Sequence, residues 1–293
     1  MAEIIYLNGQ LVPHSKAKLS PFDHGFLYGY GLFETMRAYN GHIFRLDRHL
    51  ARLRRSAQSL GLATRLAAFD LETACTETLE ANKLKDARLR LTISAGEGDM
   101  TPDPSTCSSP TVLVTAQNLV PLPPEKYESG FKAALSSLRR DSQSPLSWLK
   151  STCYLNNILA RMEAKVAGCD EAIMLNERGY LAEGSTTNIF LVKKSLSLEG
   201  RSQVRVLVTP SLESGVLPGI TREAVLEIAQ TSNIKTVERQ VELKELVEAE
   251  EAFITNSILK LMPLTCFDGK PIGTGKAGQL TKKLMSAYKE LAK

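Results

Sequence analysis

Two Asn-Gly dipeptides, Asn8-Gly9 and Asn40-Gly41, each sit between apolar runs, in IIYL-NG-QLV and ETMRAY-NG-HIFRL. Asn and Gly tolerate the positive φ that a two-residue hairpin turn demands, so the pattern predicts two antiparallel β-hairpins within the first 45 residues. A helix from about Leu46 to Leu60 follows, with Leu46, Leu50, Leu53, Ala57 and Leu60 on one face. A second helix is predicted over FDLETACTETLEANK. The strands ARLRLTISAG and TVLVTAQNL flank EGDMTPDPSTCSSP, whose Gly, Pro and Ser mark an exposed, irregular loop.

VPLPPEKYESG is the Pro-dense, polar break in mid-chain. It divides the chain into a small N-terminal domain (1–119), a linker (120–130) and a larger C-terminal domain (131–293). The larger domain reads as strand FKAALSSLR, a helix beginning near Leu155, and strands around a tight turn in EAIMLNERGYLAEGSTTNIFLVKK. The strand VRVLVTP, helix GITREAVLEIAQ, segment VELKELVEA, strand EAFITNS and helix GQLTKKLMSAYKELAK complete it. Strands and helices mix without strict βαβ alternation, which predicts two α/β or α+β domains.

Hydrophobic residues make up 43% of the 293 and charged residues 23%, enough apolar material for a real core. The net charge of +4 is spread among interleaved acids and bases, with no basic stripe suited to nucleic acid. No apolar run reaches the ~20 residues that span a membrane, and MAEIIYLNGQLV has no signal-type core. Five scattered cysteines without CxxC spacing predict free thiols and a cytoplasmic setting. His14, His24, His42 and His49 all fall in the first 50 residues without metal spacing, so no metal is expected. Neither a GxSxG elbow nor a GxxxxGK[ST] loop is present, which sets aside two further enzyme classes.

One lysine then stands out. In SWLKSTCYLNNILA, Lys150 precedes a run whose Leu155, Ile158, Leu159 and Met162 recur at helical spacing, predicting a helix with a buried apolar face. Lysine is rarely buried without a partner or a task, so Lys150 is either a chance surface residue or a nucleophile. LPGITREAV predicts a helix entered through Pro218 and Gly219 with Thr221 near its N-cap. Such an end suits an anion or is simply a capped helix. Arg52, on the His49, Arg52, Ser56 stripe bordering an apolar face, is either an inward-pointing anion partner or part of a solvated basic face, to which Arg48 and Arg55 belong. Glu183, beside Gly184, either closes a turn or holds a protonated heterocyclic nitrogen. Lysine, carboxylate and helix N-terminus are together the parts that hold pyridoxal phosphate: Schiff base, ring-nitrogen partner and phosphate site.

Five segments carry a wider resemblance: LSPFDHGFLYGYGLFETMRAYNGHIFRLDRHLARLRRSA, LKSTCYLNNILARMEAKVAG, YLAEGSTTNIFLV, GVLPGITREAV and EAFITNSILKLMPL. In order and spacing they resemble the fold-type IV (class IV) pyridoxal-phosphate enzymes. That group includes branched-chain aminotransferases, D-amino acid aminotransferases and aminodeoxychorismate lyases. The resemblance implies a two-domain, D-amino acid aminotransferase-like fold with the cofactor between the domains, a homodimer and a small amino substrate. It makes Lys150 the covalent anchor and proton shuttle and Glu183 the pyridinium partner. Arg52, Ile220, Thr221, Ser257 and Ile258 become the phosphate cradle, the isoleucines through backbone N–H. Tyr154 would bond the ring hydroxyl, although it lies one residue closer to the lysine than in some relatives. Tyr28, Phe33 and Arg90 would line the substrate side, with Tyr28 reaching the partner's site. Cys153 stands where many relatives have Asn. FETMR in place of FEG(I/V)R, TNS followed by Pro263, and a GEGDMTPDP loop without Arg or His resemble the lyases more than the aminotransferases. In those lyases the threonine at Thr35 assists proton handling as the enol-pyruvyl group leaves; packing in a strand would equally explain a β-branched residue there.

Overall fold

The computed structural model describes residues 3–196 and 203–292. Its contacts divide the chain into two units, 1–120 with 149–154, and 121–148 with 155–292.

The first unit is a six-stranded sheet under helices. Its elements are β1 (Ile4–Leu7), β2 (Gln10–Pro13), α1 (His24–Tyr28), β3 (Gly31–Tyr39), β4 (His42–Ile43), α2 (Leu46–Ser59), α3 (Ala63–Leu66), α4 (Leu71–Ala81), β5 (Ala87–Ser94) and β6 (Thr111–Asn118). The strand order is β2-β1-β6-β5-β3-β4, and every pairing is antiparallel. Both expected hairpins form, and both asparagines take positive φ (Asn8 49°, Asn40 50°). Strand alternation sends Leu32, Met36, Ala38, Leu89, Leu91, Ile93, Val112 and Val114 to one face, where they are buried against Leu50, Leu53 and Ala57 of α2 and Ala74 and Leu79 of α4. Phe33, Thr35, Arg88, Arg90 and Thr92 take the opposite face, since β3 and β5 pair Phe33 with Thr92 and Thr35 with Arg90.

The second unit contains α5 (Pro124–Ser129), β7 (Phe131–Arg140), α6 (Leu155–Val166), β8 (Glu171–Asn176), β9 (Leu181–Gly184), β10 (Asn188–Leu196), β11 (Gln203–Pro210), α7 (Ile220–Thr231), β12 (Thr236–Arg239), α8 (Leu243–Val247), β13 (Glu251–Asn256), β14 (Lys260–Phe267), β15 (Lys270–Pro271) and α9 (Gln279–Leu291). Its mixed sheet runs β12-β11-β10-β13-β14-β7-β8-β9, with β15 on β14. Parallel contacts occur at β11–β12, β14–β7 and β7–β8.

Three expectations differ from the fold. The stretch 120–130, expected as a linker, contains the helix α5. Lys150, expected within the C-terminal domain, belongs by its contacts to the first unit. The helix after Lys150 forms, but its apolar stripe is outward: Leu155 is 65% exposed, Ile158 51%, Leu159 39% and Met162 57%. The face turned inward carries Asn157, Ala160 and Ala164, with the two alanines packed on Ala172 and Met174 of β8. Small residues let the helix lie close to the strand, so burial here follows side-chain size rather than hydropathy. β14 was not anticipated either, because Pro263 interrupts LKLMPLTCF. The proline is tolerated because pairing with β7 begins only at Leu264.

Candidate active site

The residues expected to carry chemistry collect in two groups, one in each unit.

In the first unit, the segment 149–154 is laced to the entry of β3. Phe33 N donates to Lys150 O, Thr152 N to Gly31 O (both 2.9 Å), and Thr152 Oγ1 to Gly29 O (2.7 Å). Gly29 ends α1 with φ 68°, and a Cβ there would lie 2.9 Å from Cys153 Sγ, so the close approach requires glycine. This lacing turns Lys150 onto the Phe33 ring, its Nζ 4.6 Å from the centroid. Arg90 Cζ stands 3.9 Å from the same centroid, and Tyr154 meets Phe33 edge-on at 5.3 Å. Arg90 Nε donates to Thr92 Oγ1 (3.1 Å), which fixes the plane of the guanidinium. Burial, and then the charge of Arg88, lower the pKa of Arg90. Thr35 pairs directly with Arg90 across the strands. Lys150, Phe33, Thr35, Arg90 and Tyr154 are therefore brought together. Tyr28 takes other partners: its hydroxyl donates to Met100 O, and its ring meets His24 edge-on.

Arg52 points inward as expected, and Arg48 and Arg55 point out. Its inward partner, Glu34, was missed. Glu34 is fully buried on the helix-covered face of β3, bonded to Arg52 and His49. The signal was present in GLFETMRAY, where a glutamate shares the strand phase of Leu32, Met36 and Ala38.

In the second unit, Glu183 is the penultimate residue of β9 and is buried. Its Oε1 lies 3.2 Å from Arg140 Nη1, and its Oε2 accepts from Leu217 N (2.9 Å) and Asn188 Nδ2 (3.2 Å). Arg140 in turn donates through Nε to Gly215 O (2.7 Å) and through Nη2 to Ser147 O (2.8 Å). Neither Arg140 nor Asn188 had been singled out; an arginine closing the strand FKAALSSLRR gives little hint of its partner.

The helix α7 opens at Ile220, with Gly219 rather than Thr221 at the N-cap and no side-chain cap. Thr221 is instead the second helical residue, buried with Ile220. A Cβ on Gly219 would fall 2.0 Å from Asn188 Oδ1, so glycine allows the helix start to sit on the residue that also holds Glu183. Ile258 lies in the turn after β13. Its backbone N–H donates to Asn256 Oδ1 (2.9 Å), as does that of Leu259 (2.7 Å), in a side-chain-closed turn. Asn256 Nδ2 also donates to Thr186 O (3.3 Å), which ties the Ser257 turn to the loop after Glu183. Glu171 organises that loop by accepting from Ser185 N (3.1 Å), Ser185 Oγ and Thr187 Oγ1 (3.1 Å).

Residues 31–266 match the family model for amino-transferase class IV. The chain belongs to the class IV aminotransferases. Two relatives of this class IV chain align over 98% of its length. One, 40% identical over 96% of its own length, is the "Putative branched-chain-amino-acid aminotransferase" of Methanocaldococcus jannaschii. Another, 37% identical over 94% of its length, is the aminodeoxychorismate lyase of Bacillus subtilis. The crystal structure of Escherichia coli branched-chain amino acid aminotransferase superposes with a TM-score of 0.87 at 30% identity, covering 99% of this chain and 94% of that one.

Class IV aminotransferases are pyridoxal-phosphate enzymes, and this chain is one of them. Its residues fit the cofactor. The first unit supplies a primary amine beside an aromatic face and a buried arginine. The second supplies a buried carboxylate and a glycine-capped helix start that any Cβ would obstruct.

Proposed function

We propose that this class IV enzyme is a 4-amino-4-deoxychorismate lyase that releases pyruvate and leaves 4-aminobenzoate, a step of folate synthesis. The observation that carries this reading is the position of Thr35. Its hydroxyl-bearing side chain shares one sheet face with Phe33 and pairs in register with Arg90, while the Lys150 amine rests on the Phe33 ring. One face thus offers a proton-moving amine, a hydroxyl and a carboxylate-binding guanidinium, the three groups an elimination from a carboxylated substrate calls for. The Bacillus subtilis relative supports the same choice by its name.

In this reading Lys150 holds the cofactor covalently through Nζ. Glu183 pairs with the ring nitrogen, and Arg140 and two N–H donors hold its carboxylate in place. Arg52, Thr221, Ser257 and the backbone of Ile220 receive the phosphate, and Tyr154 the ring hydroxyl. When bound, pyridoxal phosphate supplies an electron sink for the charge left as the substrate loses the proton beside its amine. Lys150 takes that proton in its neutral form. Arg90, held flat on Phe33, binds a substrate carboxylate with its outer edge, and Thr35 passes a proton toward the departing enol-pyruvyl oxygen. Tyr28 closes the substrate side.

A second reading, transfer of an amino group from branched-chain L-amino acids or D-amino acids to a 2-oxo acid, is favoured by the name of the Methanocaldococcus jannaschii relative. The deciding experiment incubates the loaded enzyme with aminodeoxychorismate and no 2-oxo acid. Sustained release of 4-aminobenzoate and pyruvate over many turnovers supports the lyase. Release absent, or limited to one turnover, would replace it with the aminotransferase.

We further propose a cytoplasmic homodimer. The free cysteines support the compartment. The exposed stripe Leu155, Ile158, Leu159 and Met162 supports a second copy as the partner, because such a face is costly to leave in water. Ile158→Glu should shift the sedimenting species to monomer; an unchanged dimer would move the interface elsewhere.

A further inference from the structure

The alternation of β3 sends Phe33 and Thr35 to one face and places Glu34 among Leu32, Met36 and Ala38 on the other. A carboxylate there has lost its water and needs compensating donors. The helix α2 supplies them from positions 49 and 52, three apart and so on one helical face. Glu34 Oε1 accepts from Arg52 Nε (2.8 Å), and Oε2 accepts from Arg52 Nη2 (2.6 Å) and His49 Nδ1 (2.7 Å).

This fork has a direction. A guanidinium is planar with its donors in fixed positions, so a carboxylate gripping the Nε–Nη2 edge determines where Nη1 and the outer side of Nη2 point. His49 stops Glu34 from rotating, since it claims the oxygen that also faces Nη2. Burial lowers the pKa of His49; the hydrogen bond and charge of Glu34 oppose this and the charges of Arg52 and Lys150 add to it, with the net shift downward. Burial would raise the carboxyl of Glu34, but the charge and hydrogen bonds of Arg52, with those of His49, prevail and hold it at about 2.

We propose that Glu34 and His49 are positioning residues that aim Arg52 at the phosphate of the cofactor, setting the affinity for the phosphorylated form. The proposal rests on the assignment of Arg52 to the phosphate cradle. It goes beyond that assignment by giving a task to two residues on the covered face of β3, behind the strand that presents Phe33 and Thr35. A buried ion pair serving packing alone would predict a loss of stability and nothing more.

The test compares apoenzyme affinities for pyridoxal phosphate and pyridoxal, which share the ring and aldehyde and differ in the phosphate. Glu34→Gln should weaken pyridoxal phosphate by roughly 10–100-fold while pyridoxal changes less than about twofold. Glu34→Asp, which keeps the charge, should recover part of the loss. Should Glu34→Gln fail to fold, His49→Leu replaces it, with an expected loss of about 3–10-fold in the same ratio. Arg52→Gln separates the two ideas. If Arg52→Gln collapses the ratio and the Glu34 and His49 variants leave it intact, positioning is overturned and the cradle stands. If Arg52→Gln leaves the ratio unchanged, the cradle assignment falls and takes this proposal with it. Equal weakening of both ligands with a lower melting temperature would make the cluster structural, which also overturns the proposal.

Discussion

Glu34 in the first unit and Glu183 in the second are both buried carboxylates bonded to an arginine, yet they are built in opposite ways. The partners of Glu34 are two side chains of one helix, at 2.6–2.8 Å, and all three bonds orient those partners. The partners of Glu183 come from the end of β7, the start of β10 and the backbone at Leu217, and the arginine among them is itself tied to two carbonyls. The first carboxylate and two side chains of one helix lock one another; the second is held from three separate segments. A group that must meet a ligand has to be held from several sides, whereas a group that aims another needs one short, rigid grip. On the proposed reading, Glu34 has a supporting task and Glu183 a direct one.

The largest effect tests the amine that completes the set. Lys150→Ala should cost roughly 10³-fold or more in turnover and remove the absorption band of the bound cofactor; a variant keeping both would end the assignment of Lys150. Glu183→Gln comes next. The replacement keeps shape and most hydrogen bonds but removes the charge, so turnover should fall by about 10²–10³-fold with the melting temperature nearly unchanged. A large stability loss with modest kinetics would place Glu183 in the same supporting class as Glu34 and dissolve the contrast.

Much of the first unit was legible in the sequence because its determinants are local. The two Asn-Gly turns, the stripe of α2 and the alternation of β3 and β5 each follow from residues within one element. Lys150, Arg52 and Glu183 drew attention as candidates because each is out of place in its own segment. What escaped depends on partners distant in sequence. Glu34 lies 15 and 18 residues from its partners, and Arg140 lies 75 from the carbonyl of Gly215. The outward stripe of α6 was misread because periodicity reports that a face is apolar, not what covers it; alanines and an asparagine took the inward side. The bond from the N–H of Ile258 to the side chain of Asn256, two residues before, was likewise not anticipated.

Acid tests the Glu34 cluster in a different way. The folded pKa of Glu34, about 2, lies below its ordinary 4.5, so its stabilisation is complete above pH 4.5 and is lost as pH falls toward 2. Burial above all holds His49 below its ordinary 6.5, so it too stabilises the fold above that pH and loses its contribution on acidification. Both signs agree. The urea midpoint of the apoenzyme should decline between pH 6.5 and pH 3, with Glu34 accounting for about 3 kcal/mol at full protonation. His49→Gln should flatten the upper part of that decline. A midpoint independent of pH across this range would show that the cluster is not held as described.

The smallest effect probes the face opposite Glu34. Arg90 is clamped by Phe33 on its flat side and by Thr92 at Nε, so its remaining job is at the outer edge of the guanidinium, which lies away from the α2 core. Arg90→Ala should raise KM for a carboxylate substrate by about tenfold, the worth of one charge-assisted bond, while cofactor affinity stays as in the parent enzyme. Arg90→Lys should recover little, because a point charge cannot reproduce a planar fork stacked on a ring. If KM is unmoved and kcat falls instead, Arg90 acts on the reacting atoms rather than on binding. The two faces of β3 would then both serve the chemistry, and the division between a supporting face and a substrate face would have to be redrawn around Thr35 alone.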